Sequence, residues 1–107
     1  MDLSLDSNYF INQIKSSQDK QLFIKYYENF QSHVLITKQY ISIKKELLIY
    51  LKSFLDNPTH LLNLSESELC IYQQLYNELN HSITVIEDDA IQYKNNFKKY
   101  LFYLIKK

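Results

Sequence analysis

The 107-residue chain contains no glycine, no arginine and no tryptophan; Pro58 is its only proline and Cys70 its only cysteine. Each absence removes a class of function. Without glycine there is no dinucleotide fingerprint, no phosphate-cradling loop and no nucleophile elbow, because each needs a backbone approach or dihedral that only glycine permits. The same shortage of turn formers disfavours folds built from many tight hairpins. A lone cysteine excludes an intramolecular disulfide, whereas small exported domains are usually stapled by several. With no arginine to fork onto a guanine edge, the lysines offer only nonspecific phosphate contact, so no specific nucleic acid is expected as a partner. Long apolar runs are missing too. The longest, Leu47 to Leu51 and Tyr100 to Ile105, fall far short of the roughly 20 residues that cross a bilayer. Residues 1–7 carry Asp2 and Asp6 and no lysine, unlike the basic start of a secretory signal. A cytoplasmic protein with no transmembrane span is the expectation.

What is present points to a folded helical domain. Apolar residues make up 46% of the chain and twelve lysines balance twelve acids, which fits neither a disordered tail nor a basic arm. The length suits one domain, residues 1–107. Phe, Tyr, Met, Ile, Asn and Lys fill 50 positions; their AT-rich codons point to a low-GC bacterium, a phage or another mobile element.

Apolar spacing sets the fold class. The series Leu69, Tyr72, Tyr76, Leu79, Ile83, Ile86, Ala90, Tyr93, Phe97, Tyr100, Leu104 alternates steps of three and four without a fault, the mark of one helical side. An earlier series from Phe23 to Leu55 keeps that rhythm but puts Thr37 and Lys44 on the stripe, beside a second stripe of Ile36, Tyr40, Ile43, Leu47, Tyr50 and Phe54. Two stripes give a helix over about Gln39 to Leu55 a wide apolar face, suited to a bundle. The expected architecture is all-α, three to five mostly antiparallel helices, with long helices and a dimeric bundle as a variant.

Helix ends are written locally. Asn57-Pro58 stops a helix near Leu55. Ser65 and Glu68 form a capping-box pattern for the next, with Leu64 in the staple position. A first helix is expected from about Ser7 to Ser17, with Asp19 placed to cap its successor. Thr84 with Glu87 could open another helix after a turn at Asn80-His81-Ser82, yet the heptad phase runs through Ile83 unbroken. If those residues stay helical, the helix from Glu66 to Lys106 is about 60 Å long at 1.5 Å per residue, and a homodimer is expected to cover its stripe.

Candidate chemistry is thin. Glu78-x-x-His81 has the spacing by which helix bundles ligate di-iron, but it occurs once and no facing bridging carboxylate is evident, so no metal or other cofactor is expected. His33 and His60 have no ligand-spaced companions. Cys70, between Leu69 and Ile71, reads as a partly buried, inert thiol. With no catalytic constellation the chain is not expected to be an enzyme.

Charge placement is more informative. Residues 53–93 hold seven acids and no lysine, while residues 94–107 hold five lysines and no acid. Helix-end electrostatics accounts for part of this; an acidic surface offered to a basic partner accounts for the rest. The partner-binding candidates are Glu66, Glu68, Tyr72, Tyr76, Glu78, Glu87, Asp88 and Asp89. Ten tyrosines exceed what so small a core buries with hydroxyls paired, so some reach the surface, where Tyr anchors interfaces. The C-terminal stretch is apolar nearly all round and ends in lysines, making Lys98, Lys99, Phe102, Tyr103, Lys106 and Lys107 candidates for membrane or partner contact. The functional expectation is a protein-binding inhibitor, immunity or anti-defence/regulatory factor. A peripheral membrane protein, a nucleic-acid binder and a di-metal bundle are the alternatives.

Overall fold

A computed structural model describes residues 2–106, and among them there are four helices and no strand: α1 (Ser7–Gln13), α2 (Ser17–Leu55), α3 (Pro58–Leu62) and α4 (Glu66–Lys106). The chain is all-α. No helix among the described residues is long and apolar enough to cross a membrane.

The ends follow capping chemistry, with three departures from the sequence expectation. Asp6 caps α1 by accepting from the Tyr9 N–H at 3.2 Å, and α1 stops at Gln13, several residues before Ser17. Ser16, not Asp19, caps α2: its Oγ accepts from the Asp19 N–H at 3.5 Å, leaving Asp19 in the first turn, where an acid favours the helix dipole. Asn57-Pro58 does end α2, but a single extra turn follows. Asn57 accepts from the Thr59 N–H at 3.0 Å and Pro58, which has no N–H to lose, takes the first helical position of α3. Ser65 then caps α4, accepting from the Glu68 N–H at 3.2 Å.

No turn forms at Asn80 to Thr84; α4 runs through it. Thr84 folds its hydroxyl back onto the Asn80 carbonyl at 3.3 Å, which satisfies the side chain without breaking the helix. The continuous apolar phase outweighs the local turn signal.

The chain divides into two compact units, one of residues up to Thr37 and from Asp88, the other Lys38–Glu87. In the first unit, α2 and α4 are joined by a third layer, the segment from Leu3 through α1 to Ile14. Phe10, Ile14, Phe23, Leu101 and Leu104 form its core, and Leu101 is 0% exposed. Phe30 stacks on Phe97, ring centroids 4.8 Å apart, and Phe10 meets Phe102 edge-on at 5.5 Å. Such aromatic pairs add about 0.5–1.5 kcal/mol beyond the area they bury. Polar ties close the layer: the Tyr27 hydroxyl donates to the Leu5 carbonyl at 3.4 Å and Lys94 Nζ to the Asp2 carbonyl at 3.1 Å.

The second unit has α2 against α4, with α3 at the end where they join. Of its apolar side chains only Ile41 and Ile83 are buried. Phe54 contacts Tyr72 at 5.0 Å and stacks on His60 at 4.6 Å, so His60 is held by an aromatic ring. In both units the α4 stripe faces α2, so α2, 39 residues to α4's 41, covers that stripe within one chain. The stripe by itself therefore requires no second copy.

Candidate functional site

At 100° per residue the acids of α4 spread around the helix. Asp88 points away from the seam with α2, Glu68, Glu78 and Asp89 lie to one side of it, and Glu66 and Glu87 lie to the other. Tyr72 and Tyr76 sit on the seam and are half-buried, so the tyrosines and the outermost carboxylates do not share a side. Glu87 pairs with Lys45 at 3.7 Å, and Glu78 accepts from Gln74 Nε2 at 3.3 Å. Glu66, Glu68, Glu78, Asp88 and Asp89 are exposed, and no described lysine lies within ion-pair distance of them. Asp88 and Asp89 belong to the first unit, the other acids to the second.

The second unit leaves the second apolar stripe of α2 at the surface. Tyr40, Ile43, Leu47 and Tyr50 run along one side of α2 and are exposed, Ile43 by 65% and Tyr50 by 68%. Ile71 and Leu75 are exposed along α4. Leu47 and Leu75 line the same groove of about 380 Å³, together with Leu51, Lys44, Glu78 and Ser82, so both rows flank one side of the helix pair. The groove wall is apolar with three polar groups. Lys44, the polar interruption of the inner stripe, is half-buried; its Nζ donates to Ser82 Oγ at 2.7 Å and lies 5.3 Å from the centre of the Tyr40 ring. A long aliphatic stem on the seam with its ammonium at the rim is how lysine accommodates such a position. The signal available in the sequence was the doubled stripe on α2: one partner helix can cover only one of the two.

The C-terminal candidates separate by burial. Leu101 and Leu104 fill the first unit's core, while Lys99, Phe102, Tyr103 and Lys106 are exposed and Lys98 is half-buried; Lys107 lies outside the described residues. Cys70 is exposed, against the expectation of partial burial, because its position on α4 points away from the seam. Glu78 and His81 are both exposed, and no three His, Cys, Asp or Glu side chains gather to hold a metal among the described residues. His33 packs on Tyr93 with ring centroids 4.1 Å apart.

No family model matches the chain, and no similar curated protein or solved structure is found.

Proposed function

We propose that the chain is a non-enzymatic protein-binding module, a cytoplasmic inhibitor, immunity or anti-defence/regulatory factor of a low-GC bacterium, phage or mobile element. It docks the acidic, Tyr-bearing surface of α4 on a protein with a basic surface and forms a dimeric helical bundle. One observation carries the reading: Glu66, Glu68, Glu78, Asp88 and Asp89 are exposed with no lysine partner among the described residues, while the half-buried Glu87 pairs with Lys45. Exposed charge of one sign costs the folded state self-repulsion and is useful for steering an oppositely charged partner. Tyr72 and Tyr76 are half-buried on the seam and partly open to a docking protein.

Pull-down from the native host followed by mass spectrometry identifies the partner, and stopped-flow mixing then tests the mechanism. Reversing Glu87, Asp88 and Asp89 to Lys slows association at low salt by about tenfold or more and leaves dissociation nearly unchanged. Unchanged association with helix content intact returns the charge segregation to helix-end electrostatics.

A second reading has its own observation: Phe102 and Tyr103 are exposed beside Lys99 and Lys106 on the last turns of α4, the composition of an interfacial helix side. Co-sedimentation with anionic vesicles, lost in Phe102→Ser, supports it; no sedimentation rejects it.

A further inference from the structure

We infer that the open side of the second unit, the rows Tyr40, Ile43, Leu47, Tyr50 and Ile71, Leu75, is covered by the same surface of a second copy. The inference extends the dimer part of the function proposed above and stands independently of the basic partner. Three features of the surface choose this occupant.

Area is the first. Each of the six side chains is roughly half exposed or more. At about 200 Å² for a fully exposed large side chain they present on the order of 600 Å² of apolar surface, the upper end of the largest patch a monomer usually shows. Two such patches face to face bury roughly 1,200 Å² before any rim is added, which reaches the size of a specific interface.

The second is layering. The first unit covers its helix pair with α1 and the segment around it, from which Leu3, Phe10 and Ile14 enter the core. The second unit has no such element; α3 is five residues long and contributes no buried side chain. A helix pair with one bare apolar side completes itself by pairing with an identical one, giving four helices around a shared core.

Charge is the third. The side carries both signs on one groove, Lys44 and Glu78. The Lys44 ammonium has a hydroxyl and an aromatic face as neighbours and no carboxylate within ion-pair distance. In a two-fold contact each patch meets itself reversed, so Lys44 of one copy can meet Glu78 of the other, twice. An apolar partner without carboxylates would leave Lys44 desolvated and unpaired, a costly state. A strongly basic partner would set its own cations against it.

Sedimentation velocity of the full chain between roughly 1 and 200 µM is expected to show a reversible monomer–dimer equilibrium. Leu47→Glu and Ile43→Glu, both at exposed helix positions that leave the circular dichroism unchanged, raise the dimer dissociation constant more than about thirtyfold. Ile49→Glu is the control: Ile49 is 67% exposed on the other side of α2, and the equilibrium does not move. Lys44→Glu weakens the dimer about tenfold, and Lys44→Glu with Glu78→Lys restores it. A monomer throughout the range overturns the inference and leaves the acidic surface of α4 open to a different protein; so does a dimer that survives Leu47→Glu or is lost equally in Ile49→Glu.

Discussion

Two stretches of the same pair of long helices are stabilised differently. In the first unit an aromatic core closes on itself: Phe23, Phe30, Leu101 and Leu104 are buried between α2 and α4, and the segment from Leu3 to Ile14 seals them. In the second unit the same two helices meet along a thinner seam and leave Tyr40, Ile43, Leu47 and Tyr50 outside. Apolar content does not distinguish them; the presence of a third layer does. Hydrophobicity at helical spacing becomes core only where something covers it, and otherwise stays at the surface.

The largest test of this contrast is a cavity in the first unit. Phe23 is buried and stacks on Tyr27, so Phe23→Ala is expected to cost about 3–5 kcal/mol, read as a midpoint shift in urea unfolding. A cost below about 1 kcal/mol would mean the aromatic core is not the source of stability. Next comes the entry of α4 into the second unit: Ser65→Ala removes the acceptor for the Glu68 N–H and is expected to cost about 1 kcal/mol. Lys45→Ala, which breaks a pair with Glu87 whose side chains are 56% and 29% exposed, costs less than about 1 kcal/mol, and the difference shrinks at high salt. Smallest of all, Leu47→Ala measured on dilute monomer changes stability by no more than about 0.5 kcal/mol, although the same leucine substitution in the first unit's core, Leu101→Ala, costs about 2–5 kcal/mol. Equal costs at the two leucines would erase the comparison.

Much of the fold was legible because it is local. The stop at Asn57-Pro58 and the start at Ser65 depend on residues adjacent in sequence, and the α4 stripe needs only its own periodicity. Less legible was everything decided by which stripe faces what. Thr37 and Lys44 looked like faults on the inner row of α2, yet Thr37 is buried and Lys44 reaches the rim to meet Ser82, a partner 38 positions away. The row from Tyr40 to Tyr50 was visible as apolar, but its exposure depends on the absence of a third layer, which no spacing reports. The acids were visible as a run without lysine; their dispersal around α4 follows from the helix staying unbroken through Asn80 to Thr84. Cys70 is exposed for the same rotational reason.

Hydrogen exchange resolved along the chain, run at low and at high protein concentration, tests the contrast most directly. Protection over 23–34 and 90–104 is expected to be high and independent of concentration, because that core is complete within one chain, while protection over 40–54 and 68–82 is lower in dilute protein and rises as copies pair. Equal protection of the two units in dilute protein, or a rise confined to the first unit, would contradict the account.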